Sequence, residues 1–483
     1  FLSSVLLGAC AIGPDYSRPD LAVPDRFRMA ATQQETESFA NLPWWDLLQD
    51  EELRRLIRVA LAENKDLKRA VASVEDFQAR MLIAKMDFAP KADLTSNAPL
   101  FGRKANFLFP GFPNPFNYYL QGNLSWEIDI WGRIRRSNEA ARGDLLSREE
   151  ARRAVVLQLV SGVAEAYFDM LQFDMQLAVA QRTLKSWDES VRIAEARLRE
   201  GMISKIDADQ FAAERANAAA RAAELSRQMV QKENQLSVLL GRVPGQIPRG
   251  RSLTDQVMPP EVPAGLPSEL LQRRPDLVQA EQLANFRQRV GLVAATARIG
   301  VAKADRFPKL SITGILGVAS PQLSRLVANE TAFGTAGPGL AGPLLNAQIL
   351  GFQQDAAEAQ SREALARYEQ ALLVAFREVE DALVAVRTVR EQRSAQVEQV
   401  DALRSALRLA NLRYKGGLAN YLDVLVAQRN LFEAELALTS THRLQLVSVV
   451  QLYKALGGGW SPLDTAQQQP GQAPAEPGKA GRG

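Results

Sequence analysis

The chain has 483 residues, and its 58 Lys and Arg nearly balance 55 Asp and Glu, so a formal charge of +3 forces no basic surface and no nucleic-acid partner is expected. Hydrophobic residues make up 46%, ample for a large core, but they are too dispersed for a run of 18 or more that would form a membrane-spanning helix. One His (His442) and one Cys (Cys10) remove most metal sites, Cys-His dyads and Ser-His-Asp triads, and leave no disulfide within the chain. What remains is an interaction, structural or transport protein, or an enzyme restricted to carboxylates, Lys or Ser, with no metal or other cofactor expected.

Residues 1–10, FLSSVLLGAC, form an apolar stretch ending in small residues before Cys10. This pattern predicts a signal-peptide remnant over 1–9, cleaved before a cysteine that then carries a diacylglycerol and acyl group. A charged leading segment is missing from this stretch, so the precursor is expected to begin further upstream. A buried Cys behaving as a small hydrophobe is the alternative. Residues 10–50 then read as a lipidated extended segment.

Prolines divide the rest. Residues 116–243 and 344–461 contain none, so both tracts can be helical without interruption. A first repeat is expected over 51–241, with a helix at about 65–89, a short strand at 91–98 and a strand at 117–129. The last alternates Tyr118, Leu120, Gly122, Leu124, Trp126 and Ile128 on one face with Tyr119, Gln121, Asn123, Ser125, Glu127 and Asp129 on the other. A helix from about 133 to 200 follows, roughly 100 Å long at about 1.5 Å per residue. Gly201 marks a turn, and an Ala-rich helix returns over about 207–240. A Pro-rich linker spans 242–267.

The second repeat, 268–457, has a helix at about 276–306 and a strand with Leu310, Ile312, Gly314, Leu316 and Val318 facing one way and Ser311, Thr313 and small residues the other. Another strand is expected at 334–342, then a long helix to Gly416-Gly417 and a return helix over about 421–456. Residues 464–483, mostly Gln, Pro, Gly and Ala, predict a disordered tail.

The repeat itself is visible by shifting the chain 216 positions, which carries Arg197, Gly201 and Asp207 onto Arg413, Gly417 and Asp423. The same shift carries a 4,3-spaced apolar seam from Leu159 to Leu198 onto Ala375 to Tyr414, with Arg393 and Gln396 as its polar exceptions. Four strands cannot close a barrel, and an open edge is not tolerated in lipid. Three copies would supply twelve strands, with Tyr118, Leu120, Leu124, Trp126, Ile128, Leu310, Ile312, Leu316 and Val318 facing lipid around an aqueous lumen. The expected fold is therefore mainly α with a small β part, a trimeric β-barrel continued by a coiled-coil α-barrel.

The lipobox at Cys10, GPDYSRP at 13–19, Trp44-Trp45, LLQRRPD at 270–276 and RYKGGLANYLD at 413–423 resemble the outer-membrane channel lipoproteins of tripartite efflux pumps, the TolC-like or NodT-type factors. The resemblance implies a homotrimer in the outer membrane of a Gram-negative bacterium, extending into the periplasm. It implies a periplasmic adaptor and an inner-membrane pump, usually of the resistance-nodulation-division (RND) class, as partners. It also implies that Tyr414 and Asp207 help tie the periplasmic end shut and that Asp423 lines the closed aperture, with Arg413 beside them. The hairpin turns at Gly201–Ser204 and Gly417–Asn420 would meet the adaptor. Val426 stands where many relatives have a second acid. Asp207 and Asp423 could equally be helix N-terminal caps, and Arg197 and Arg413 could satisfy C-terminal carbonyls. The alternatives are a pore-less coiled-coil scaffold lipoprotein, the outer-membrane component of a type I secretion system, and a carboxylate-based enzyme, for which no phosphate loop or nucleophile motif exists.

Overall fold

The computed structural model describes residues 11–19, 24, 26–28, 48–98, 118–257, 267, 270–282, 292–343, 345–416, 418 and 420–458. Cys10, Gly417, Trp44-Trp45, the leader and the tail lie outside them. In chain order come α1 (Glu51–Glu63), α2 (Lys65–Met86), β1 (Lys91–Asn97), β2 (Tyr118–Ile128), α3 (Arg133–Arg199) and α4 (Lys205–Leu239). They are followed by α5 (Leu270–Arg273), α6 (Pro275–Gln282), α7 (Leu292–Ala304), β3 (Lys309–Ser320), β4 (Ala332–Ala341), α8 (Ala347–Lys415) and α9 (Tyr421–Ala455). The expected helix at 276–306 is thus described as α6 and α7, with 283–291 outside the described residues. Two compact units contain these elements, one from residues up to 21, 71–151 and 278–371, the other from 22–70, 152–277 and 372–483.

The first unit holds one antiparallel sheet in the order β1-β2-β3-β4. Its register sets Leu120 opposite Val318, Gly122 opposite Leu316, Trp126 opposite Ile312 and Ile128 opposite Leu310, so the two expected apolar faces are one surface. Leu94 and Leu340 extend it through β1 and β4. Leu94, Leu120, Leu124, Trp126, Leu316 and Leu340 are all exposed. On the opposite face Asn123 donates to Asp93 at 2.7 Å and to Thr95 at 2.9 Å. That face is less polar than the alternation suggests, because Ile315 pairs with Thr335 and Phe333 with Gly317 there.

At the foot of the sheet, indole N–H groups hold the strand-to-helix joints: Trp126 donates to the Phe88 carbonyl at 3.0 Å and Trp131 to that of Pro308 at 2.8 Å. The segment after Cys10 is clamped to the same joints. Ile12 N–H donates to the Trp131 carbonyl at 3.1 Å, and Arg136 reaches Asp15 at 2.6 Å. Tyr16 and Arg18 both donate to the buried carboxylate of Glu281, at 2.8 and 2.9 Å. Gly132, at φ +79°, stands 2.7 Å from the Ala11 Cα measured from where its own Cβ would be, so only glycine admits the segment.

The second unit is built on the long helices. All twelve positions of the α3 seam from Leu159 to Leu198 are buried or half-buried, as are those of α8, Arg393 and Gln396 included. One 18-residue window of α3 is apolar enough to cross a membrane, contrary to expectation, but 61% of it is buried inside the protein, where Leu159 to Leu171 join the main core. Between α3 and α9 the contact is partly polar: Gln172 and Gln176 both donate to Ser440 Oγ, at 3.2 and 2.9 Å, and Gln176 also reaches the Leu436 carbonyl at 3.0 Å.

Each return helix ends in the same way, 216 residues apart. Arg242 N–H donates to the Ser237 carbonyl at 3.1 Å, and Gly458 N–H to that of Tyr453 at 2.9 Å, around Gly241 and Gly457, both at φ +70°. Each end rests on a two-helix elbow, where a side chain donates to its orphan carbonyl. At the α1–α2 elbow this is Asn64, to Leu239 O at 2.9 Å; at the α5–α6 elbow it is Arg274, to Ala455 O at 3.2 Å. The Arg274 guanidinium, 6% exposed, also grips Asp276 at 2.6 and 2.9 Å and Glu378 at 2.7 Å. LLQRRPD is therefore a structural elbow. Arg274→Ala is expected to cost about 2 kcal/mol through lost charge-assisted bonds, read as a lower denaturation midpoint, while Arg274→Lys recovers little because a point charge cannot fork.

Candidate functional site

The two helical turns, α3 to α4 and α8 to α9, carry the residues expected at the periplasmic end. One closing bond is common to both. Met202 N–H donates to the Arg197 carbonyl at 2.8 Å and Leu418 N–H to the Arg413 carbonyl at 2.9 Å, so the backbone itself supplies the turn's closing bonds. Gly201 sits at φ +70° with open space where a Cβ would be.

Beyond the first turn, Ser204 caps α4 in a reciprocal box. Asp207 N–H donates to Ser204 Oγ at 3.2 Å, and the Asp207 carboxylate accepts from Ser204 N at 3.1 Å and Ser204 Oγ at 2.7 Å. Beyond the second, Asn420 Oδ1 accepts from Leu422 N at 3.4 Å, and Asp423 lies in the first turn of α9. Within the protomer Asp207 is therefore a cap, and Tyr414 does not reach it.

The partner of Tyr414 is Arg197. Its guanidinium donates to the phenol oxygen and lies 5.1 Å from the centre of the ring. This side chain does not serve the carbonyls of its own helix end; it crosses from one hairpin to the other. Tyr414 meets Tyr421 edge-on at 4.9 Å, Tyr421 stacks on Phe211 at 4.0 Å, and Phe211 meets Trp187 edge-on at 6.4 Å. Burial pushes the Tyr421 hydroxyl up to about 12, so it stays protonated. Phe211 and Tyr421 were not singled out from the sequence. Phe211 is the lone aromatic in the Ala-rich run 208–223, and that isolation was the available signal.

Two pairs of large apolar side chains stand out on the turns: Met202 and Ile206 are 68% and 71% exposed, and Leu418 and Leu422, 216 positions later, are 74% and 49% exposed. Val426 is exposed on α9.

Residues 56–242 and 266–458 match the family described as outer membrane efflux protein. The toluene efflux pump outer membrane protein TtgC of Pseudomonas putida is 34% identical, the alignment covering 98% of this chain and 96% of TtgC. The cation efflux system protein CusC of Escherichia coli is 31% identical over 95% of this chain and 98% of its own. Among solved structures, the open state of the Neisseria gonorrhoeae MtrE outer membrane channel superposes with a TM-score of 0.80 at 30% identity, covering 93% of this chain and 98% of MtrE. The chain is an outer-membrane efflux channel and belongs to the outer membrane efflux protein family.

Proposed function

We propose that the chain acts as a homotrimer that receives substrate from a periplasmic adaptor and an inner-membrane RND-class pump and conducts it passively to the cell exterior. The observation that carries this reading is the sheet: an apolar face on which Leu94, Leu120, Leu124, Trp126, Leu316 and Leu340 are exposed while Tyr118, Ile128, Leu310, Ile312 and Val318 are half-buried, and two edge strands, β1 and β4, with a neighbour on one side only. Three such sheets joined edge to edge remove every open edge and turn the apolar face to lipid, giving twelve strands. Trp126 and Trp131 at the foot of the sheet suit a membrane–water boundary, where indoles are favoured. The clamp on Ala11 brings the chain to that boundary one residue after Cys10, which supports a diacylglycerol anchor there.

The paired apolar positions 202/418 and 206/422 offer two similar seats per protomer, which suits a partner that docks by repeated apolar contacts. Relatives of similar identity are named for toluene and for cations, which supports placing selectivity in the pump partner. Closure of the periplasmic end rests on contacts between hairpins, which adaptor binding would shift by favouring the separated state. Arg197→Gln combined with Tyr414→Phe is expected to raise single-channel conductance in planar bilayers by about severalfold, the change expected when a closed-state contact worth about 1–2 kcal/mol is lost. Asp207→Ala alone is expected to fray the first turn of α4 and change conductance little. An unchanged conductance in the double variant would remove the Arg197–Tyr414 contact from the gate.

A further inference from the structure

Residues of α3, α4, α8 and α9 line a half-open cavity of about 810 Å³ between the two hairpins. Its wall has two kinds of surface. Phe211, Tyr421, Ile203 and Val424 form an apolar, ring-lined side. Arg197, which lies over the Tyr414 ring beside Tyr421, and Lys415 bring two cations to the same wall, and neither is paired with a carboxylate among the described residues. The one acid among the lining residues, Asp207, accepts from the Ser204 N–H and hydroxyl through a single oxygen. The volume falls in the range of small-molecule sites, which are mostly apolar with a few convergent polar groups.

We propose that this cavity binds an amphipathic monoanion, a fused-ring body bearing one sulfonate or carboxylate, with its charge on Arg197 and Lys415 and its rings against Tyr421 and Phe211. Arginine has five N–H donors, and the Tyr414 hydroxyl engages only part of that set, so an oxyanion can be held without breaking the contact. Because every wall helix belongs to one of the two hairpins, an occupant touches both and holds them together. Such a ligand favours the closed end of the channel. Binding is a property of the protomer, and only its effect on the channel end rests on the gate proposed above.

The test is calorimetric titration of the full-length protein in lipid nanodiscs with 1-pyrenesulfonate, against empty nanodiscs and against 1-pyrenemethylammonium. One saturable site per protomer for the anion is expected, with no site for the cation. Arg197→Gln is expected to weaken binding by about tenfold or more through loss of a charge-assisted contact. Ser190→Phe, which fills the cavity beside Tyr421, is expected to abolish it, and circular dichroism and oligomer size verify that both variants are folded. Equal binding of anion and cation, heat no greater than that of empty nanodiscs, or binding undiminished in both folded variants would each overturn the proposal.

Discussion

Replacing Gly241 by alanine is expected to cost about 2–5 kcal/mol, the sum of left-handed backbone strain and an overpacked contact. At φ +70° an L side chain is strained, and a Cβ there would stand 2.3 Å from the Glu63 carbonyl oxygen, a backbone atom of the α1–α2 elbow that cannot swing aside. Gly457 repeats the geometry with 2.9 Å to the Arg273 backbone, and Gly201 has the same φ with nothing within 4 Å. Alanine should therefore harm position 241 most, 457 next and 201 least, the last by about 1–2 kcal/mol of strain alone. Thermal unfolding of the three purified variants measures the order. Equal losses at all three would show that the close approach of helix end to elbow contributes nothing.

Acid should weaken the fold through its one histidine. His442 lies buried on α9, and burial, reinforced by the nearby Arg393 charge, lowers its pKa from 6.5 to about 4. The folded state thus resists a proton that the unfolded chain accepts. Stability is fully present above pH 6.5 and is lost as pH falls toward 4, by about 3 kcal/mol on a conversion of about 1.4 kcal/mol per pKa unit. Denaturant midpoints measured across that window should fall steeply in the native chain and more gently in His442→Gln, whose amide does not titrate. Parallel curves for the two proteins would exclude His442 as the source.

Much of this architecture was legible because it follows from periodicity. Alternation over 118–128 and the 4,3 seam of α3 are local signals, and the sheet and the long helices fall within one or two residues of the expected bounds. The pairing of β2 with β3, which sets Leu120 beside Val318, was not among the expectations. What the sequence could not show was which side chains meet across long separations. Trp187, Phe211, Tyr414 and Tyr421 come from four helices, and no spacing rule joins them. Arg197 likewise looked like an ordinary end-of-helix cation, since nothing local distinguishes a guanidinium that turns back on its own carbonyls from one that reaches a neighbouring hairpin. Asp207 shows the reverse: the Ser-x-x-Asp pattern at 204–207 already carried the signature of a cap, and the local bond is the one the structure contains. LLQRRPD was visible as a motif, but the use of Arg274 depends on the Ala455 carbonyl 181 residues away.

The glutamine and serine contacts between α3 and α9 bear on how such helices can slide. Gln172 and Gln176 already share one hydroxyl, and Gln176 also takes a backbone carbonyl one turn earlier on α9. An amide displaced along the axis therefore meets another acceptor of the same kind before it has lost the first. A purely aliphatic interdigitation would have to unlock before moving, whereas these polar contacts can exchange one partner for the next, leaving the neighbouring apolar contacts of Phe173, Val179 and Leu436 to resist the slide.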